Sequence, residues 1–246
     1  MNWEKHITRL KQVAKKIKFR HELKYIMDVS DVALLRPKLS SLLLADSNAG
    51  PGGVYKIRSL YFDDYWGSAY ADKVDGVNLR CKYRIRCYND KDDYICLERK
   101  LKNGQYIAKQ SARLTRAQTE AIINGRYDFL LEDGQPLSRE FYYECVSNVM
   151  RPRVIVDYER EPYVFEGGDV RITFDMNVRA SVLGFSIFDP RLPSIPVLPP
   201  AHLILEVKFT DFLPGVIRKL LPGRGAAETS FSKFVLACEQ VMPMFL

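Results

Sequence analysis

Histidine is scarce in this chain, and its cysteines are not spaced for pairing. Only His6, His21 and His202 are present, none at ligand spacing. The five cysteines, Cys81, Cys87, Cys96, Cys145 and Cys238, contain no CxxC pair. A structural zinc site needs such clusters, so none is expected. An odd number of thiols suits a reduced protein with buried cysteines, not a disulfide framework. No apolar run approaches the roughly 18 to 20 residues that a membrane-crossing helix needs. Residues 1–18 are basic and amphipathic, not apolar, so no secretory leader is expected and the expected location is cytoplasmic. Repeats, low-complexity tracts and a dividing linker are also missing.

What is present is a substantial core and an excess of positive charge. Of 246 residues, 47% are hydrophobic, which makes wholesale disorder untenable. Lysine and arginine number 37 against 30 acids, a net charge of +7. That balance suits an anionic partner, whether nucleic acid, membrane surface or polyphosphate.

Residues 1–17 carry Ile7, Leu10, Val13, Ala14 and Ile17 on one helical stripe. This predicts an N-terminal helix over 1–18 ahead of one domain over 19–241. Strands are predicted at 18–27, 54–63, 77–89, 93–101, 105–114, 153–160, 169–177 and 203–210. Helices are predicted at 31–44 with Ser30 as its N-cap, and near 64–72, 115–124, 136–149 and 228–241. Thr115 reads as an N-cap and Gly125 as a stop. Residues 184–201 hold five prolines and read as an irregular loop. Strands follow one another in hairpin order, which disfavours a parallel α/β sheet.

The charges in these strands are unusual. A half-buried strand alternates apolar and polar positions. Between Leu79 and Cys87, Arg80, Lys82, Arg84 and Arg86 share one face. Like charges so arranged repel unless an anion neutralises them. A solvated basic strand edge is the plain alternative. Arg20, Glu22 and Lys24 share a face, as do Glu98 and Lys100, and Glu206 and Lys208. Lys109 lies in mid-strand, and Arg171 shares a face with Thr173 and Asp175. If the sheet closes, these faces converge on a lumen. Arginine and lysine there would bind phosphate oxygens, while carboxylates such as Glu22, Glu98 and Glu206 would hold Mg²⁺ or Mn²⁺. By parity His21 is expected outside, and Arg151 and Arg153 as solvent charges. Asp63 and Asp175 are expected to cap loops or orient lumen cations. No general base is apparent, and phosphoryl transfer tolerates that.

Nine short stretches carry a family resemblance: RHELKY at 20–25, SLYFD at 59–63, KYRIR at 82–86, LERK at 97–100, KQS at 109–111, VDYER at 156–160, VRITFD at 170–175, LEVK at 205–208 and FSK at 231–233. In that order they resemble the VTC-domain polyphosphate polymerases, a branch of the triphosphate tunnel metalloenzymes related to CYTH proteins. The resemblance implies an α+β fold, an antiparallel β-barrel tunnel with flanking helices. It implies transfer of the γ-phosphoryl group of ATP onto a polyphosphate chain, with Mn²⁺ or Mg²⁺. By position Lys24, Arg84, Arg86, Lys100, Lys109, Arg160 and Arg171 resemble the phosphate-binding cations, and Glu206 the metal ligand. Ser232 and Lys233 resemble a terminal-helix pair that reaches the phosphates. Arg20 stands where the wider CYTH pattern has the first of two glutamates, and Ser230 where a lysine is often found.

The site set expected is therefore Arg84, Arg86, Lys100 and Lys208 at the reacting phosphate. Arg20, Lys24, Arg80, Lys82, Lys109, Arg160, Arg171, Ser232 and Lys233 would bind substrate, and Glu206, Glu22 and Glu98 the metal. Alternatives are a tripolyphosphatase or nucleoside triphosphatase of the same fold, or a binding module for polyphosphate or inositol phosphates. Nucleic-acid binding is disfavoured because no RRM, KH or helix-turn-helix pattern appears. The expected partners are ATP and polyphosphate, and peripheral association with a membrane partner stays compatible with the sequence.

Overall fold

The computed structural model describes residues 19–46, 49–50, 52–181, 184–222 and 231–242. The helix expected over 1–18, the start of that expected at 228 and Ser230 lie outside the described residues. Ten strands run β1 (Arg20–Asp28), β2 (Leu44–Ala45), β3 (Tyr55–Asp63), β4 (Leu79–Tyr88), β5 (Lys91–Asn103), β6 (Tyr106–Leu114), β7 (Arg151–Phe165), β8 (Val170–Ser181), β9 (Ser194–Pro196) and β10 (His202–Phe209). The helices are α1 (Val29–Leu42), α2 (Ser68–Val74), α3 (Arg116–Ile123), α4 (Pro136–Ser147), α5 (Gly215–Leu220) and α6 (Lys233–Val241).

The sheet order is β2-β7-β3-β4-β5-β6-β1-β10-β8-β9, and β7 also pairs with β8. That pairing closes an antiparallel ring, as expected for the α+β tunnel class. The ring is not a regular barrel. At the β1–β6 seam only Arg20 with Ile107 and His21 with Tyr106 are paired. The β7–β8 pairing shifts register between Asp157 and Glu159.

Closure sorts the two faces of each strand. Outward faces pack under helices. Tyr83, Ile85 and Leu97 meet Ile122 of α3 and Phe141 of α4, while Leu205, Val207 and Ile172 meet Leu35 and Leu39 of α1 and Ile217 of α5. A third cluster lies on the inward faces. Tyr61, Val154, Val156, Tyr158, Val178, Ala180 and Ile204 surround Phe234, Ala237, Cys238 and Val241 of α6. The terminal helix therefore fills one end of the lumen with apolar side chains. Burial of each such side chain is worth about 1.5–3 kcal/mol.

Local signals mostly act as sequence chemistry dictates. Thr115 and Gln118 form a reciprocal capping box at α3. Gly125, with φ +78°, ends that unit in the left-handed conformation that glycine adopts freely. The expected cap of α1 needs correction. Asp28, not Ser30, is the N-cap, and its carboxylate accepts from the Ser30 N–H at 2.8 Å. The proline-rich 184–201 stretch contributes the short edge strand β9, and α5 and β2 were not foreseen. Among the described residues no helix is long and apolar enough to cross a membrane.

Candidate functional site: a cation-lined lumen

The inward faces that are not filled by α6 enclose two connected chambers. The inner one, about 80 Å³, is lined by Lys24, Lys82, Arg84, Arg86, Lys100, Arg160, Lys208 and Lys233, with Glu206, Ser232, Tyr61 and Tyr158. Eight of the lining side chains are cations and one is a carboxylate, and Glu22, Glu98 and Asp175 reach the same cations from beside the chamber. The outer chamber, about 260 Å³, shares Lys24, Lys82, Lys100 and Ser232 and adds Glu22, Arg80, Lys73, Lys102, Gln105, His21 and Phe231.

Strand pairing explains the convergence. In the register of β1 against β10, Lys24 lies opposite Glu206, and Glu22 opposite Lys208. Across β4 and β5, Arg84 lies opposite Glu98, and Lys82 opposite Lys100. Each alternating charge therefore meets its complement or competitor on the next strand. At the start of α6, Lys233 points back into the chamber from the apolar end.

The lumen carboxylates are all engaged. Glu206 is a hub contacted by Lys233 at 2.8 Å, Lys208 at 3.0 Å, Arg160 at 3.2 Å and Lys24 at 3.6 Å. Burial opposes its ionisation, but Lys208, Lys233, Lys24 and Arg160 outweigh burial and hold the carboxyl well below its usual range. Glu22 takes Lys100 at 2.7 Å, Lys24 at 3.5 Å and Lys208 at 3.6 Å. Asp175 grips Arg160 through two bonds of 2.6 and 2.7 Å and also holds Lys233. Glu98 takes Arg84 at 2.6 Å and Lys109 at 2.8 Å, with Arg86 at 3.8 Å.

Lys82 is different. Its ammonium donates to Ser232 Oγ at 2.9 Å and sits 4.7 Å from the Phe234 ring centre. Among the described residues it has no carboxylate partner. Burial and the neighbouring Lys24, Arg80, Lys100 and Lys73 push its pKa well below that of an ordinary lysine. Lys100 is also depressed, to about 7, chiefly by burial, with Glu22 opposing the fall. The chamber is a preorganised positive cavity short of an anion.

Four residues expected at the site, Arg20, Arg171, Lys109 and Glu98, line neither chamber. Arg20 pairs with Asp169 at 2.9 Å and Arg171 with Asp46 at 2.6 Å, both near strand ends. Lys109, opposite Lys100 across β5 and β6, is 53% exposed and bonds Glu98 at 2.8 Å. His21, expected outside, does lie on the outward face, stacked on Phe209 of the outer cluster with ring centres 4.7 Å apart, at the border of the outer chamber. Asp63 accepts from the Asp64, Ala69 and Tyr70 N–H groups and fixes the turn into α2, as a loop cap should. Arg151 and Arg153 are exposed. The sequence reading missed Tyr61 and Tyr158. Their hydroxyls accept from Arg84 and Arg86, each at 2.9 Å. Tyr158 shares strand parity with Arg160, a visible signal; Tyr61 reads as an ordinary core residue.

The three carboxylates expected to bind metal do not form one cluster, and among the described residues no group of three or more metal-ligating side chains forms. Glu22 and Glu206 do share the cations Lys24 and Lys208. Thr173, paired across from Glu206, keeps a buried hydroxyl without a partner. Glu206, with Thr173 opposite it and Glu22 sharing two of its cations, offers hard oxygen donors that would suit Mg²⁺ or Mn²⁺, ions that seldom sit in all-protein cages and would take phosphate oxygens and water as further ligands.

A family model described as the VTC domain matches residues 19–242. Among curated proteins no sequence matches. Among solved structures, the chain is similar to HpAC1 from Hippeastrum, described as an adenylyl cyclase with a dominant triphosphatase activity. The two share 15% identity over 91% of this chain and 96% of that one, with a TM-score of 0.55. A protein from Bacillus halodurans described as an adenylate cyclase matches at 14% identity over 79% and 82% of the chains, with a TM-score of 0.44.

Proposed function

The chain belongs to the VTC-domain family, and from that premise we propose that it is an ATP-dependent polyphosphate polymerase. The bond between the γ-phosphorus and its bridging oxygen breaks, releasing ADP. A new bond forms from a terminal oxygen of the polyphosphate acceptor to that phosphorus. One phosphoanhydride replaces another, so the reaction is near balance. The acceptor oxygen is already ionised and needs no base.

The observation that supports this reading is the convergence of eight cations on the inner chamber, served by four carboxylates, Glu22, Glu98, Asp175 and Glu206, with Lys82 left without a carboxylate among the described residues. Arg84, Arg86, Lys100 and Lys208 would stabilise the charge spread over the transferring phosphoryl group. Lys24, Lys82, Arg160, Lys233 and Ser232 would hold the triphosphate. Arg80, in the outer chamber, would meet the acceptor, with Arg20, Lys109 and Arg171 as outlying contacts for a longer chain. Glu206 and Glu22 would hold Mn²⁺ or Mg²⁺, and Glu98 would set the two arginines. Such an ion, held there, would supply Lewis-acid chemistry by withdrawing charge from the phosphoryl group. We place the protein in the cytoplasm, where ATP is supplied.

The alternative is a triphosphatase, the activity described for HpAC1. Hydrolysis wants a carboxylate free to orient water. Glu22, Glu98, Asp175 and Glu206 are each held by at least two cations. That arrangement favours transfer to phosphate over transfer to water. The test is product analysis with ATP and Mn²⁺, with and without a short polyphosphate primer. Polymer that an exopolyphosphatase degrades supports transfer; inorganic phosphate alone under every condition supports hydrolysis.

A further inference from the structure

Arg84 faces the inner chamber with its guanidinium held on two sides. Its Nε and Nη2 reach Glu98 at 2.8 and 2.6 Å, and its Nη1 donates to the Tyr61 hydroxyl at 2.9 Å. Tyr61 lies directly opposite Arg84 in the β3–β4 register. Its ring meets Phe234 of α6, with centroids 5.2 Å apart. Phe234 in turn carries the Lys82 ammonium over its face at 4.7 Å, and its neighbour Lys233 bonds Glu206. One side chain therefore touches both the arginine and the helix that closes the lumen.

We propose that Tyr61 is a positioning residue for Arg84, and that it ties the seating of α6 to the aim of that guanidinium. The inference rests on the phosphoryl-transfer reading of the same chamber. A guanidinium carries five N–H donors in a fixed plane, so two anchors on different edges fix both its position and its rotation. Glu98 alone would leave it free to swing about the shared edge. The Tyr61 hydroxyl removes that swing while leaving the second Nη1 hydrogen for a phosphate oxygen. The phenol suits the task electrostatically. Burial would raise its pKa, but Arg84, Arg86 and Lys233 outweigh burial and hold it below the ordinary value. A phenol so polarised accepts a strong bond from a cation. The ring packs on Phe234, so a shift of α6 would be felt at the Tyr61 hydroxyl.

Tyr61→Phe keeps the ring and the Phe234 contact and deletes only the hydroxyl. The expected result is a fall in kcat on the order of tenfold, the worth of one hydrogen bond in orientation, with KM for ATP changed less than threefold. Phe234→Leu, which keeps the end of the lumen apolar, should give a smaller fall of the same kind. Arginine side-chain NMR gives a readout that needs no turnover. In the wild type the Arg84 guanidinium should show slow rotation about its Cζ–Nη1 bond, and in Tyr61→Phe fast rotation, with the fold unchanged by thermal melt. Unchanged rotation and unchanged kcat would overturn the proposal. Loss of tripolyphosphate affinity equal to the loss of kcat would also overturn it, by making Tyr61 a direct ligand. If the wild type turns over no triphosphate, the function fails, and the NMR comparison still decides the positioning role.

Discussion

Replacing Lys82 by methionine should stabilise the unliganded protein and weaken its hold on triphosphate. Lys82 is half-buried among Lys24, Arg80, Lys100 and Lys73, and its partners among the described residues are Ser232 Oγ and the Phe234 face. A cation in that setting stays at a cost, because burial is not offset by a carboxylate. Methionine keeps the length and the contact with Phe234 and removes the charge. Exchanges of buried charge for apolar volume gain about 1–2 kcal/mol where the charge was poorly compensated. In a chain of this size each kcal/mol moves Tm by roughly 2–4 °C. The triphosphate complex should move the opposite way. An ammonium–phosphate bond is worth about 1.5–3 kcal/mol, so affinity should fall by roughly 10- to 100-fold. The pH dependence has a definite sign. Because the folded pKa of Lys82 is depressed, the unfolded chain binds more protons over the interval below the ordinary lysine value, and stability rises with pH there. The wild type should show that slope, and Lys82→Met should flatten it. Urea melts with and without tripolyphosphate, together with titration calorimetry, measure all three effects. A variant less stable than wild type without ligand, and equal to it in affinity, would refute the idea that this lumen is short of an anion.

Arg84→Ala or Arg86→Ala should lower turnover by a factor on the order of 10² or more, as expected for removing a transition-state charge stabiliser; normal rates in both would remove them from the mechanism. Glu206→Gln strips the hub of four cations of its charge, so the unliganded protein should lose about 3 kcal/mol of stability. Metal-dependent turnover should collapse while tripolyphosphate still binds and restores part of the melting temperature; activity indifferent to both EDTA and this change would contradict the metal assignment. Lys100, with a folded pKa of about 7 against the ordinary 10.5, should make stability rise between those pH values. Urea midpoints across pH 6.5–9 should show a shallower rise in Lys100→Met, and an unchanged slope would sink that prediction.

Much of this lumen is legible in strand parity. The even-numbered charges of β4, β5 and β10 alternate with Tyr83, Ile85, Leu97, Leu205 and Val207, and those apolar residues do pack outward under helices. Parity says which face a side chain takes, but not how far along the lumen it lies. That is why Arg20 and Arg171 look like site residues and yet sit near strand ends, where Asp169 and Asp46 meet them. The acids come from other segments, and only register brings them close. Tyr61 escapes for a related reason. A tyrosine in a buried strand reads as core, and its partnership with Arg84 appears only once β3 is set against β4. The apolar inner cluster was hidden too, because α6 buries its side chains inside the ring instead of on its outer surface. Asp28 displaced Ser30 as the cap because the chain turns into α1 two residues earlier than the apolar spacing suggests.

The most direct measurement is a structure of the protein with tripolyphosphate and Mn²⁺ bound. The central claim predicts phosphates in the inner chamber, within bonding distance of Arg84, Arg86, Arg160, Lys208 and Lys233, and with the ion at Glu206. Lys82 should exchange its bond to Ser232 for a phosphate oxygen. Tripolyphosphate bound on the outer surface of the ring, with the inner chamber holding only water, would contradict it.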